Sequence, residues 1–529
     1  MWHHLRVTHP PSYLRRTCLW LWILGIFALY ALHFVHLAAD FPARPGWKDA
    51  AVVTDEGWYL NAATRHALTG RWYLPGDFNP AVALPVWPSL AALLFHFTGP
   101  GIVPARAFAV ALLGIALACI ALLLHRRNPL WVALLFLSFA VSSPFLFAFS
   151  RLALTETLVL CLLGVALLLA DHAAPDHAAP DAPHRWILIA ALGAVLLLMA
   201  LAKLTGLSLF LAILYLLWYR LRGSPRRIIV SFLIVGAIVL VGYGLYRAAV
   251  SASPFQSDFR YFYAANQFGH PANLKGWLIS LRFSLMDLWF TCGWLTILAF
   301  AAVLASLTAP LRSLWSDPLF AASLLLAFGT SGFIYLRDYH APHYYLFTPV
   351  ALAMLLALAL RAVFDATPSR YSPWLALPIT ALLLFFAIHT IALVRRPTYT
   401  FMNAAKSIKD IIDRDASPRQ LLLAESGDQI TLMTGQPSIC DAFGVAPLRE
   451  EIRQRDPGWF AAWDGVIPDT LAELHTRYHL QRVAAFPVSS DPGRSVLLFY
   501  RLVPLTQPET GVLMRRPTMK FYRRPPASQ

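Results

Sequence analysis

The chain has 529 residues, of which 58% are apolar and only 13% charged, against roughly 25% charged in a water-soluble domain. These proportions exclude a soluble globular protein and point to a chain that crosses a membrane many times. The formal net charge of +15 does not imply nucleic acid, because Arg and Lys stand in short runs at the ends of apolar stretches, where they set topology. No separate basic domain accompanies them.

Taken in order, Arg6, Arg15 and Arg16 precede an apolar run from Leu19 to about Ala39. At about 20 residues it is long enough to span the hydrocarbon core. It is too long for a signal-peptide core, so it reads as a retained first helix with the N-terminus in the cytoplasm. The segment 40–103 then lies outside, with short interfacial helices expected over Tyr59–Leu68 and Ala83–Phe97. Trp58, Trp72 and Trp87 suit that depth.

Further spans are expected over about Ala105–Leu124, Trp131–Phe149 and Thr155–Ala170. The loop 171–185 repeats His-Ala-Ala-Pro-Asp and reads as a low-complexity linker. Lys203-Leu204-Thr205-Gly206 splits the apolar stretch Trp186–Tyr219 into two short helices, with Lys203 at the outer turn. Arg220, Arg222, Arg226 and Arg227 then fall inside. Ile228–Val250 leads to a second long outer loop, 251–285. Leu288–Leu307, Leu319–Tyr335, Tyr345–Leu360 and Trp374–Val394 complete a predicted set of about eleven spans, with the C-terminus outside.

Beyond about Arg395 the composition becomes that of a soluble domain. Helical spacing over Ala404–Asp413, Pro447–Arg455 and Asp469–Tyr478 alternates with strand-like runs at Gln420–Ala424, Arg482–Val488 and Val496–Leu502. The expected organisation is a membrane part over 1–395 and a small extracytoplasmic α/β domain over 396–529. The five cysteines have no disulfide or zinc spacing and read as small apolar residues.

The chemistry-bearing stretch is Thr54-Asp55-Glu56-Gly57-Trp58-Tyr59, two adjacent carboxylates just after the first span in a chain with only 28 acids. The bland alternative is two solvated carboxylates on a loop. Arg151 and Glu156 lie five apart at a helix entrance, and a structural ion pair is their simplest alternative. Lys203 stands in otherwise apolar surroundings, either reaching a substrate or snorkelling to the surface. Arg106 reads as a helix anchor. Asp338, His340 and His343 are close enough in sequence to hold a metal, or equally to sit in an interfacial belt. Phe259, Tyr261, Phe262, Tyr263 and Phe268 either line a groove or lie on the membrane.

Asp55-Glu56 with Tyr59, followed by Pro104-Ala105-Arg106 opening the second span, resembles the GT-C membrane glycosyltransferases. Within them it resembles the branch of protein O-mannosyltransferases, lipid A aminoarabinose transferases and Rgt-type galacturonosyltransferases. Ser150-Arg151-Leu152-Ala153-Leu154-Thr155-Glu156 and Tyr344-Tyr345-Leu346-Phe347-Thr348-Pro349 are the second and third matching stretches. The resemblance implies sugar transfer from a polyprenyl-phosphate carrier to an envelope acceptor, on the outer face of a bacterial cytoplasmic membrane. Asp55 would be the catalytic base, with Glu56 and Glu156 positioning it or the acceptor, or joining a divalent cation. Tyr59, Arg151, Lys203, Arg337, His340 and His343 would be candidates to meet the donor phosphate. In one place the chain departs from the pattern: Phe78-Asn79-Pro80-Ala81-Val82-Ala83-Leu84-Pro85 lacks the lysine of a Lys-Pro-Pro segment. Two other classes stay open. A lipid-linked glycan flippase would need charges or broken helices at mid-bilayer depth, and a non-catalytic assembly protein would tolerate loss of Asp55.

Overall fold

The computed structural model of the chain describes residues 12–44, 46–173, 183–266, 271, 273–337, 341–368, 371–465, 468–491 and 494–505. The first helix, α1 (Ser12–Ala31), is followed by α2 (Ala51–Thr69) and α3 (Val86–Thr98). The membrane part continues with α4 (Ile102–Arg127), α5 (Leu130–Ser142), α6 (Pro144–Ser150), α7 (Thr155–His172) and α8 (Pro183–Ala202). It then runs through α9 (Phe210–Leu221), α10 (Pro225–Ser251), α11 (Gln256–Ala265), α12 (Leu274–Cys292) and α13 (Trp294–Ser306). It ends with α14 (Pro318–Arg337), α15 (Phe347–Ala366) and α16 (Ser372–Val394).

Among the described residues nine helices are long and apolar enough to cross a bilayer, and eleven spans result if each of two bent pairs crosses once. The expected span Trp131–Phe149 is the first pair; the expected span Leu288–Leu307 covers only α13 and the last turn of α12 in the second, because the expected outer loop 251–285 is largely helical, carrying α11 and most of α12. The first bends by 67° where Pro144 interrupts the backbone ladder between α5 and α6. The second turns by 108° between α12 and α13, at Gly293, whose φ of +47° a side chain would resist. The apolar surfaces of α1, α10 and α16 are mostly uncovered and suit contact with acyl chains, whereas α7 and α15 are largely enclosed.

The C-terminal unit opens with α17 (Thr400–Arg414), then β1 (Leu422–Ala424), α18 (Gly427–Thr434), β2 (Ser438–Ile439) and α19 (Leu448–Arg455). β3 (Trp459–Trp463), α20 (Pro468–His475), β4 (Tyr478–Asp491) and β5 (Arg494–Pro504) complete it. The sheet order is β2-β1-β3-β5-β4, with β1 parallel to both neighbours and the β3–β5 and β5–β4 pairs antiparallel. This is the expected small α/β domain, with α18, β2 and β3 added to the elements the spacing predicts. Residues 506–529 of the expected domain lie outside the described residues, as do 174–182 of the expected linker.

Domain and membrane part meet at α2. A Cβ on Gly57 would stand 2.1 Å from the Gln429 backbone nitrogen, so only glycine lets α18 lie this close. Trp58 and Trp87, expected in an interfacial belt, are both buried. Each indole N–H has found a carbonyl, Glu425 at 3.1 Å and Ala153 at 3.2 Å respectively, which suits an enclosed Trp. Trp72 remains exposed.

Candidate active site

Asp55 and Glu56 are not on a loop. The helix starts at Ala51, whose N–H donates to Asp49 Oδ1 at 3.0 Å, so Asp49 satisfies one of the donors left open at a helix start. Both carboxylates are consequently carried, buried, on the second turn of α2. Helical spacing puts Asp55 and Tyr59 on one face and turns Glu56 away from them.

Glu56 accepts from four donors. Arg106 Nε and Nη2 bind it at 2.8 and 2.6 Å, the Ala153 N–H at 2.8 Å and Gln429 Nε2 at 3.0 Å. Arg106 gives its other edge to the carbonyls of Leu37 and Ala39, at 2.8 and 2.7 Å. Glu56 thereby ties α2 to α4, to the 150s turn and to the C-terminal domain, and Arg106 is more than the anchor of its own helix.

The opposite face of α2 meets residues from the second and third family-like stretches, Glu156 and Tyr344, together with Lys203 and His343. Lys203, expected at an exposed outer turn, is buried and ion-paired with Glu156. Its Nζ also donates to Tyr59 Oη at 3.3 Å and lies over the rings of Tyr59 and Tyr344, at 4.9 and 4.5 Å. His343 is buried as well, with Nδ1 2.7 Å and its backbone N–H 3.0 Å from Asp49 Oδ2. A carboxylate only accepts, so Nδ1 carries the proton there. Nε2 faces Glu156 Oε1 at 3.5 Å. A chain of contacts therefore runs Asp49–His343–Glu156–Lys203–Tyr59.

Asp55 differs from its neighbours. Its one hydrogen bond is from Thr54 Oγ1, at 3.0 Å, and among the described residues it has no ion-pair partner. Burial pushes its carboxyl up to about 6, against the pull of His343 and Lys203. Burial also raises Asp49, yet the adjoining His343 outweighs it and leaves Asp49 below its ordinary range. The Tyr59 hydroxyl is held well above its usual range by burial, so it remains a donor.

Not every candidate reaches this cluster. Arg151 turns to the carbonyls of Val35 and His36 and stacks on Phe147 at 4.6 Å; it makes no pair with Glu156. The Arg337 side chain and Asp338–His340 lie outside the described residues. Among the described residues no group of three His, Cys, Asp or Glu is spaced to hold a metal ion. Asp49 and Tyr344 are the additions. Tyr344 lay within a recognised stretch without a role, while Asp49 stands six residues before Asp55 with nothing in its local pattern to single it out. The lysine-free stretch 78–85 borders a cavity of about 720 Å³ shared with Arg71, Trp72, Tyr246 and Phe255.

A second buried network fixes the domain interface. Arg65 binds Asp77 at 2.5 Å and Asp428 at 3.0 Å, and Asn61 donates to Asp428 at 3.3 Å. The Cys440 N–H closes on Asp77 at 3.1 Å.

This architecture has solved counterparts. The crystal structure of ArnT from Cupriavidus metallidurans bound to undecaprenyl phosphate is similar with a TM-score of 0.57 at 14% identity, covering 91% of this chain and 98% of that one. The oligosaccharyltransferase AglB from Archaeoglobus fulgidus, in complex with an inhibitory peptide and a dolichol-phosphate, gives 0.54 at 13% identity. That match covers 92% of this chain and 74% of AglB. No family model and no curated protein sequence matches the chain. At such identities the likeness defines the fold: this is a polytopic helical membrane protein of GT-C architecture with a small C-terminal α/β domain.

Proposed function

We propose that the chain is an integral-membrane glycosyltransferase. It moves a sugar from a polyprenyl-phosphate donor to a hydroxyl of an envelope acceptor (lipid, glycan or protein) at the outer face of a bacterial cytoplasmic membrane. The observation that carries this reading is Asp55, a buried carboxylate with no ion-pair partner among the described residues, close to a lysine and two tyrosines that offer positive charge and O–H donors. That juxtaposition is what a single displacement needs. The base takes the proton from the acceptor O–H as the oxygen pair bonds to the anomeric carbon. The carbon–oxygen bond to phosphate breaks, and the lipid phosphate leaves with the electron pair. Attack opposite the leaving group inverts the anomeric centre.

Lys203, Tyr59 and Tyr344 meet the charge that develops on the phosphate, in surroundings where such contacts act more strongly than in water. Lys203 takes the part of the lysine absent from the 78–85 stretch. Glu156 holds the Lys203 ammonium in place, and Asp49 with His343 steadies Glu156. Glu56 positions the helix and does not touch substrate. In the flippase reading charges or paired broken helices would lie at mid-bilayer depth; two spans are bent, but Glu156 and Lys203 occupy a helix start and a helix end, which favours transfer chemistry.

The test is transfer of label from polyprenyl-phosphate sugars in membranes containing wild type or Asp55→Asn. Loss of general-base catalysis predicts a fall of about 10²–10⁴-fold. Full activity in the folded variant would remove Asp55 as base.

A further inference from the structure

A second cavity, of about 750 Å³, stands apart from the Asp55 cluster, and Arg44, Arg151, Arg395 and Arg396 line it. The Glu56–Arg106 pair lies between the two sites: the same guanidinium that holds Glu56 holds the carbonyl of Ala39, a residue of the cavity wall. Among the described residues none of the four arginines has an ion-pair partner. Arg44 stacks on Trp47 at 4.9 Å, and Arg151 is fastened by backbone carbonyls while its Nε stays shielded without an acceptor. The one acid on the wall, Asp40, is already engaged, accepting from the Thr400 N–H, Thr400 Oγ1 and the Phe401 N–H at 2.5, 2.6 and 3.0 Å. Positive charge is thus in excess, with Arg44 and Arg151 held in place and Arg395 and Arg396 exposed.

The remaining wall is mostly apolar, with His36 and Thr398 as its polar members. Ile388 and Ile391 come from the last turns of α16, a helix whose apolar side is uncovered. A pocket with a cationic rim and a hydrocarbon-facing wall at a span's end matches the headgroup and upper chains of an anionic lipid, not a soluble anion alone. We propose that this cavity binds the phosphate headgroup of an anionic membrane lipid, bridging the 151 turn, the Arg44 loop and the end of the last span. Such a lipid would brace the junction with the C-terminal domain, since the Thr398 carbonyl accepts from the Asp40 N–H at 2.8 Å just past Arg396. The inference does not depend on the proposed transfer activity.

The experiment is native mass spectrometry and thermal unfolding of the full chain in mild detergent, titrated with phosphatidylglycerol or phosphatidylcholine. Wild type should retain one phosphatidylglycerol in preference to phosphatidylcholine and unfold at higher temperature with it. R395Q/R396Q should bind about thirtyfold more weakly, from the loss of two near-surface charges, and R395K/R396K should keep most of the affinity. R44Q gives an independent reading if the double variant does not fold. Equal retention of both lipids, or unchanged retention in R395Q/R396Q or in R44Q, overturns the site. Inorganic phosphate at millimolar concentration that displaces the lipid, or stabilises as well as it does, overturns the lipid assignment in favour of a soluble anion.

Discussion

At the scale of single residues, what separates Asp55 from Asp49, Glu56 and Glu156 is that no cation among the described residues pairs with it. Its carboxyl is pushed up to about 6 by burial, so in the proposed role of base it would work only when ionised. Transfer should fall on the acid side with a midpoint near pH 6, measured as a pH–rate profile. The same elevation has a stability consequence. A carboxyl whose folded value exceeds its unfolded one costs the folded state most when both states are ionised. From about 4 to about 6 this is about 3 kcal/mol. Asp55→Asn should therefore unfold at a higher temperature than wild type at pH 7, with the advantage vanishing below about pH 4. Lys203 behaves oppositely. Lys203→Met leaves Glu156 buried without its ammonium partner, facing His343 and the Thr155 hydroxyl, a loss of about 3–5 kcal/mol, and the double change Lys203→Met/Glu156→Gln should recover most of that stability but no transfer. Recovery of activity in the double variant would show that the ion pair has only a structural role.

At the scale of elements, α2 carries two functions on two faces. One face presents Asp55 and Tyr59 to the cluster, and the other holds Glu56 against Arg106 and Gln429. Gly57 lies beneath α18, where an added methyl meets backbone and not a flexible side chain. Gly57→Ala should displace α18 and cost a few kcal/mol, in the range of overpacked cores. The readout is faster limited proteolysis in the C-terminal domain. Arg106→Ala should be more damaging still, because Glu56 remains buried with only an N–H and an amide for partners. An Arg106→Ala protein with wild-type melting behaviour would refute the role given to the pair.

At the scale of the molecule, the contacts between α2 and α18 put the cluster and the C-terminal domain on one side of the bilayer. In a Cys18→Ser background, single cysteines replacing Thr69 and Lys406 should react with a membrane-impermeant thiol reagent from that side. A cysteine replacing Arg222 should react only after permeabilisation. Labelling of Thr69→Cys and Arg222→Cys from the same side would contradict the eleven-span arrangement. Parity depends on the two bent pairs: the first must cross once for the arginine-rich end of α9 to lie on the same side as that of α4, and the second must cross once for the C-terminal domain to lie on the side of the cluster.

The spans were legible in the sequence because lipid makes a local demand, about 20 consecutive apolar residues whatever the rest of the chain does. The α/β character of the tail was legible from spacing for the same local reason, although the wholly buried Trp-Phe-Ala-Ala-Trp run of β3 carries no alternation to betray a strand. The Asp55 stretch, Glu156, Lys203 and His343 could be picked out as ionisable groups where few are tolerated. Their partners could not. Lys203 meets a glutamate 47 positions away, Arg65 an aspartate 363 positions away, and His343 an aspartate 294 positions away. Whether a carboxylate is free to act as base or is held by a cation depends on which distant segments pack together. Composition and spacing alone determined that the chain is a polytopic membrane protein with a few chemically suggestive acids. Only the tertiary structure decided that Glu56 is a tie and Asp55 the uncommitted carboxylate, because burial and pairing are properties of packed surfaces, not of neighbours in sequence.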